Sequence, residues 1–428
     1  MKNIKIYTGK ETIEFDIPDD FTYEILTPNE YPVIDDFREK LEESIKKPIS
    51  SLPLTELVKP GQKICLIVND NTRYVPQDVI VPEIIDELRK AGVEGKDITI
   101  VIATGTHRAN TEEELEEMLG KEITKRIKIE NHDAYNEETL IYVGRSKKFS
   151  IPIVLNKTVV KSDIRIGLGV IEPHLFAGYS GGVKIMSVGT AGYETIKATH
   201  NAKMLEHPNT KFGVIENNIF REFLNEVASL VKLNFIINVV QNGEKKPLGV
   251  FAGDPIEAYK KGVEFARKVY EVPASRQADI VISVPKFPKT INLYQATRAA
   301  NSVIFGEKSL VKKGGYLIMP ARCWDGFGLQ EFYDDLANVK DTEEIIRNAR
   351  ENGFPPEGHK AFTIARILKH CKVFITDTDI SKENIESMHM NYAKNVNEAL
   401  ELIQKECYDK NMHVAVLPDG CITIPKLL

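Results

Sequence analysis

The sequence predicts an α/β protein of two domains, in which mixed and parallel sheets are flanked by helices and an active-site cleft lies between the domains. Three observations carry that expectation. The chain has 428 residues, more than the roughly 250–300 at which a single core stops growing. Its strand-length apolar runs are continuous, the mark of strands covered on both faces. The alternation of such runs with helical periodicity also restarts near residue 278, as a second αβ series would.

The opening segment alternates apolar and polar residues in IKIYTG (4–9) and IEFDI (13–17), the period-two pattern of a hairpin with one buried face. KICLIVND (63–70) and ITIVIATG (98–105) read as buried parallel strands, joined by VIVPEIIDELRKAG (79–92), which has helical periodicity and stops at a glycine. RIKIEN (126–131), LIYVGR (140–145) and DIRIGLGV (163–170) read as further strands of the same mixed sheet. The glycine-dense stretch FAGYSGGVKIMSVGTAGYETIKATH (176–200) is no ordinary core element and turns helical towards its end. NNIFREFLNEVASLV (217–231) reads as a helix, LNFIINVVQ (233–241) as a strand and PIEAYKKGVEFARKVYEV (255–272) as a long helix. The boundary falls at Val272, giving a catalytic and cofactor-binding unit of residues 1–272 and a smaller unit of residues 273–428. In the second unit ADIVISVP (278–285), GGYLIMP (314–320), KVFITDTD (372–379) and HVAVLPDG (413–420) repeat the buried-strand pattern of a Rossmann-like domain, with the last strand returning to the first domain.

A hydrophobic share of 42% and a charged share of 28% are ordinary for a globular chain. The net charge of −6 offers no basic field to a polyanion, which argues against nucleic acid and for a small-molecule partner. Charges stand in the N-terminal stretch where a signal peptide needs its apolar segment, and no run approaches the roughly 20 apolar residues of a membrane span. The expectation is a cytoplasmic protein without a membrane partner. The five cysteines are scattered and form no C-x-x-C pair, which reads as reduced thiols and not as a cysteine-based zinc or iron–sulfur site.

Polar residues at the carboxyl ends of buried strands are the candidates for chemistry, because open α/β sheets bind ligands there. NDNTRYVP (69–76) puts Asp70, Thr72 and Arg73 at one such end; arginine's fork suits a carboxylate or phosphate, and the plainer reading is an Asp/Asn/Thr turn with a surface arginine. ATGTHR (103–108) sets His107 past the next strand, and GLGVIEPH (167–174) sets His174 past a third. Imidazoles there can move protons near neutral pH, although a loop histidine is more often solvated or structural. GYSGGVK (178–184) has the glycines of a phosphate loop, yet Val183 precedes Lys184 and Ile185 follows it, so the Gly-Lys-Ser/Thr of nucleotide triphosphatases is missing. A glycine-assisted approach of Gly181 and Gly182 to a ligand is still open. His200, after the helical ETIKAT, is a candidate metal ligand.

DNTR (70–73), TGTH (104–107), EPH (172–174) with GYSGGVK, TH (199–200) and NLYQ (292–295) occur in an order and spacing that resembles the nickel-dependent lactate racemase family, over nearly the whole chain. The resemblance implies inversion of C2 in a small 2-hydroxy acid by reversible hydride transfer, which avoids building a second negative charge beside the carboxylate. The implied cofactor is nickel held by pyridinium-3,5-bisthiocarboxylic acid mononucleotide, the nickel pincer nucleotide, attached covalently to Lys184. His200 would ligate nickel, and His107 and His174 would serve as interchangeable acid and base. Asp70, Thr72, Gly181, Gly182, Tyr294 and Gln295 would contact the cofactor; Arg73, Gln295 and Arg298 would contact the substrate. Implied partners are the proteins that build the cofactor and insert nickel, and a homo-oligomer is compatible. This chain departs from the lactate pattern with Thr290 for aspartate, Arg298 for lysine and His359 where a tryptophan is expected. Malate or a sugar acid is therefore the alternative substrate; a zinc hydrolase using His107, His174 and His200, or a non-catalytic nucleotide-binding module, is the alternative of another class.

Overall fold

The computed structural model describes residues 2–355, 358–407 and 411–428. The chain opens with β1 (Lys2–Tyr7), β2 (Thr12–Ile17) and β3 (Thr22–Ile25), and the first domain then contributes β4 (Ile64–Asn69), β5 (Ile98–Ala103) and β6 (Lys128–Asn131). After them come β7 (Leu140–Arg145), β8 (Pro152–Asn156), β9 (Ile164–Val170), the two-residue β10 (Pro173–His174) and β11 (Gly178–Tyr179), then β12 (Phe235–Gln241) and β13 (Pro247–Gly253). The six-stranded sheet runs β13-β12-β9-β4-β5-β6. Five strands are parallel, and β13 is the antiparallel edge, hairpinned to β12.

Every residue of β4, β9 and β12 is buried, as their continuous apolar runs require. LIYVGR does not join this sheet. As β7 it pairs only with β8, and its mixed burial fits a hairpin laid over a core, not a strand covered on both faces. Pro247 and two glycines hid β13, whose inward residues alternate with half-buried ones.

The second domain contributes β14 (Glu271–Ala274), β15 (Ala278–Ser283), β16 (Val311–Pro320), β17 (Lys372–Thr376), β18 (Asn391–Tyr392), β19 (His413–Leu417) and β20 (Ile424–Leu427). Its sheet runs β18-β17-β16-β15-β19-β3, all parallel. The opening segment, assigned from sequence to the first unit, thus lies on the second: β3 extends its sheet, and Ile4, Ile6, Phe15 and Ile17 share a core with Ile280 and Val414. The alternating pattern fixed a one-faced hairpin but not which sheet it covers. β20 pairs with β14 at the junction of the domains and joins neither large sheet. One continuous core, from Ile67 and Val101 to Val281 and Leu317, ties the domains together. No described helix is long and apolar enough to cross a membrane.

In each sheet the order of strands reverses once. In the first, β4 leads to β5 and β6 on one side while β9 lies on the other; in the second, β15 leads to β16 and β17 while β19 lies on the other. At such a switch point the loops leaving two neighbouring strands diverge and open a crevice at their carboxyl ends. The two crevices face one cleft.

Candidate active site

The cleft is a cavity of about 320 Å³ lined from both switch points. From the first domain come Asp70, Thr72 and Arg73 after β4, His107 after β5, and Glu172 and His174 after β9. Lys184 and His200 complete that wall. From the second come Lys286 and Lys289 after β15, Asp419 and Cys421 after β19, and Tyr294, Arg298, His359 and Lys360 from the helical segments between. Candidates as far apart in sequence as Asp70 and Arg298 are therefore neighbours across one cavity.

His107 sits in a turn closed by its N–H donating to the Thr104 carbonyl at 3.0 Å. Its Nδ1 lies 2.6 Å from Asp70 Oδ2, and Thr72 Oγ1 donates to Asp70 Oδ1 at 2.7 Å. Burial acts to raise the pKa of Asp70, but the bonds from His107 and Thr72 and the charge of Arg73 outweigh it, so the carboxyl lies below its ordinary value. An ionised carboxylate only accepts, so His107 Nδ1 carries the proton and Nε2 keeps a lone pair towards the cleft. Asp70 and Thr72, expected at the cofactor, are spent on orienting this ring.

His174 has the opposite polarity. Its Nδ1 accepts the backbone N–H groups of Phe176 and Ala177, each at 3.2 Å, which leaves the neutral ring's proton on Nε2. Burial, then the charges of Lys184, Arg73 and Arg221, hold its pKa well below the ordinary imidazole value. The two rings are not interchangeable as they stand.

Arg73 Nη1 donates to Glu172 Oε1 at 2.6 Å, and Lys245 Nζ lies 3.6 Å from Glu172 Oε2. Burial opposes ionisation of Glu172, but Lys245, Arg73, Lys289 and Arg298 pull its pKa down to about 2. Arg73, read from sequence as a substrate anchor, is thus already paired on one edge. Lys184 opens the short helix Lys184–Ser187; burial, Arg73 and Arg221 bring its amine down to about 7. An amine so tuned is largely neutral at slightly alkaline pH, the form that attacks an acyl group.

Arg221 explains the glycine loop. Its guanidinium stacks 4.5 Å from the Tyr259 ring centroid and donates to the carbonyls of Ala177 at 3.3 Å, Gly181 at 3.4 Å and Tyr179. Gly181 lines the cavity, but Gly182 does not: Gly182 N donates to Asn238 Oδ1 at 2.7 Å, and a Cβ on it would stand 2.8 Å from Tyr259. The second glycine packs closely on Asn238 and Tyr259. Gln295 also stands outside the lining, with a buried Oε1 that has no partner among the described residues.

His200 ends the helix Tyr193–Thr199. Its Nδ1 lies 3.0 Å from the Ile196 carbonyl, which can only accept, so Nε2 is the free lone pair. Burial holds its pKa down to about 4, so the ring is a neutral imidazole. The rings of His174, His200 and His359 surround Phe176 at centroid distances of 6.2, 5.8 and 5.4 Å. Among the described residues no three His, Cys, Asp or Glu side chains are set to hold a metal ion, so His107, His174 and His200 do not make the zinc set of the hydrolase alternative. One free imidazole beside a reactive lysine fits a metal that brings its other ligands with an organic cofactor. Sequence reading missed Glu172, Lys245, Lys289, Lys360 and Asp419; Glu172 stood within the EPH motif, whereas the others carry no local pattern.

Fold and cavity define a two-domain α/β protein whose cleft brings His107, His174 and His200 together with the low-pKa amine of Lys184. The model for the lactate racemase N-terminal domain matches residues 8–213, and that for the C-terminal domain matches residues 273–424. Lactate racemase of Thermoanaerobacterium thermosaccharolyticum is 32% identical over 430 residues, covering 99% of both chains. That of Lactiplantibacillus plantarum is 34% identical over 396 residues, covering 91% of both. The solved T. thermosaccharolyticum lactate racemase apoprotein superposes with a TM-score of 0.90 at 31% identity, over 99% of this chain and 100% of that one. A Thermotoga maritima protein shares the fold, with a TM-score of 0.68 at 18% identity over 93% of this chain and 100% of that one. The chain belongs to the lactate racemase family, and with it to the isomerases.

Proposed function

We propose that this protein inverts C2 of a 2-hydroxy acid, lactate or a more polar relative such as malate or a sugar acid, with a nickel pincer nucleotide carried on Lys184. The observation that supports this most is the His107–Asp70 pair at 2.6 Å, facing His174, Lys184 and His200 across one cavity. When bound, the nickel pincer nucleotide supplies a reversible hydride acceptor, so C2 passes through a planar keto acid that can be reduced on either face.

The chain's own residues account for the proton. His107 Nε2 takes the substrate's hydroxyl proton, and Asp70 steadies the imidazolium that forms, as a carboxylate behind a general base does. His174 meets the hydroxyl of the other enantiomer; to act as base there it must release Nδ1 from the Phe176 and Ala177 amides. Lys184 offers a neutral amine for attachment through a thioamide, and His200 Nε2 is the side-chain ligand for nickel. The free edge of Arg73 binds the carboxylate beside C2, and Arg298 contacts the substrate from the facing wall. The phenyl ring of Phe176 packs edge-on against His174 and His200. Cofactor-building and nickel-insertion proteins would load the enzyme, in the cytoplasm.

The test is to load the cofactor and follow each enantiomer of lactate, malate and a sugar acid by chiral chromatography. Interconversion of at least one pair is expected. A fully loaded enzyme that inverts none of them overturns the reading.

A further inference from the structure

The second-domain wall of the cleft carries three cations that the protein leaves unneutralised. Lys289 follows β15, Arg298 lies in the turn of helix Thr297–Ala300, and Lys360 lies in the first turn of the helix His359–His370. All three line the cavity. Three other cations of the cleft are matched: Arg73 and Lys245 reach Glu172 at 2.6 and 3.6 Å, and Lys286 reaches Asp419 at 3.9 Å. Among the described residues no carboxylate pairs with Lys289, Arg298 or Lys360. The charges that act on them include Arg73 on Arg298 and Lys289, Arg298 on Lys289 and Lys360, and the Cys421 thiol on all three, with Glu172 acting on Lys289 and Arg298 from beyond pairing distance.

Lys360 is the decisive member. It is 4% exposed, and its Nζ lies 5.4 Å from the Tyr294 ring centroid, so an aromatic face is all that steadies the ammonium. A buried charge without a counter-ion destabilises the empty protein, and an anion entering from solvent removes that penalty. The same helix start presents His359, whose ring centroid is 6.0 Å from that of His200. Lys360 therefore follows a residue that packs beside His200, and all three cations line the cavity that His107, His174 and His200 line. In a mononucleotide the phosphate is a whole ribose away from the reactive ring, whereas in a hydroxy diacid a single methylene separates C2 from the second carboxylate. The subsite's position suits the second.

We propose that Lys289, Arg298 and Lys360 form an oxyanion subsite on the second-domain wall and that the substrate fills it with a second carboxylate, so that the 2-hydroxy acid handled here is dicarboxylic. The inference rests on the racemase reading for the position of C2.

Isothermal titration of the apoprotein with malate, lactate and inorganic phosphate tests it, on the wild type, Lys360→Met and Lys289→Gln. Malate should bind at least about tenfold tighter than lactate, and each substitution should remove most of that advantage, the scale of one charged hydrogen bond. Lys360→Met should melt no lower than wild type, because it deletes an uncompensated charge, and malate should raise the melting temperature of the wild type but not of the variant. If Lys360→Met fails to fold, Lys289→Gln reads the same preference. Equal binding of malate and lactate, no binding of either, or variants that keep the preference overturn the proposal. Phosphate binding without malate binding also overturns it, since the cations would then serve a nucleotide. Because the titration needs no turnover, malate binding without C2 inversion on loaded enzyme would leave the subsite standing and sink the racemase reading; inversion of lactate without a malate preference would do the reverse.

Discussion

On the first-domain wall the strand ends carry side chains that are already paired: His107 with Asp70, Arg73 with Glu172, and His174 with two backbone amides. On the second-domain wall the corresponding strand ends and the helices beside them carry Lys289, Arg298 and Lys360 without a carboxylate partner among the described residues. Both walls use the same topological device, a switch point in a parallel sheet. The difference separates two tasks. Proton transfer needs rings whose tautomer and direction are fixed before the substrate arrives, whereas recognition of an anion needs charge that the ligand itself completes.

The largest effect tests the first wall. Lys184→Ala should abolish activity and leave the protein at its unmodified mass, because on the proposed reading its amine is the attachment point; intact-mass analysis of loaded protein reads this directly. An active, unmodified variant would remove the covalent assignment. Next, His107→Asn should lower kcat by about 10²–10⁴-fold, the usual contribution of a positioned acid or base. Asp70→Asn should lower it less, since it spoils the ring's orientation and not the ring. If the two histidines differ as their hydrogen bonds say, His107→Asn and His174→Asn should damage opposite enantiomers unequally, read from initial rates with each. Equal losses for both enantiomers would show that the amides of Phe176 and Ala177 yield freely.

The second wall should answer in selectivity. With malate and lactate as competing substrates of the loaded enzyme, Arg298→Lys should shrink any preference for the more polar acid by about 1–3 kcal/mol, because the ammonium loses the guanidinium's fork. Unchanged preferences would mean that Arg298 does not read the substrate.

The same comparison explains what was legible in the sequence. Residues of the first wall sit immediately after apolar strands, so DNTR, TGTH and EPH announce themselves by position. Lys184 and His200 lie next to the glycine-dense loop. The second wall is assembled from four separate segments, and Lys360 is simply one lysine on a short helix; only the packing that buries it beside Tyr294 makes it unusual. Gly182 illustrates a related limit of local pattern: glycine spacing records close approach but not what approaches, and in the fold Tyr259 is one such neighbour. The strand runs gave both sheets, yet the placement of β1–β3 on the second depends on contacts across nearly 400 residues of chain, as in Val414 beside Tyr23, which no local pattern encodes.

The smallest effect concerns stability of the apoprotein against pH and sets the two walls against each other. On the first wall His174 and His200 have folded pKa values below the ordinary 6.5, the latter about 4. The unfolded chain binds more protons there, so stability rises with pH between about 4 and 6.5 and that gain is then complete. Lys184 and Lys289 are held at about 7, against 10.5 for a free lysine, and Lys360 also lies well below its ordinary value. For Lys184 and Lys289 the unfolded chain binds more protons between about 7 and 10.5, so their contribution is full above that window and is lost as pH falls through about 7. The buried thiols of Cys65, Cys323, Cys371 and Cys421 act the other way from about 9 upward, since their pKa values are raised from 9.0. Melting temperature should therefore keep climbing from pH 7 to about 8.5, by the equivalent of about 1–2 kcal/mol, where a protein without buried lysines has levelled off. Scanning calorimetry across that range checks it. Malate should flatten the climb by pairing the cations in their charged form, and Lys289→Gln should flatten it in the absence of malate. A flat profile in the unliganded wild type would mean that the lysines of the cleft find counter-ions in solution, and the contrast between the walls would then reduce to tautomer control on the first.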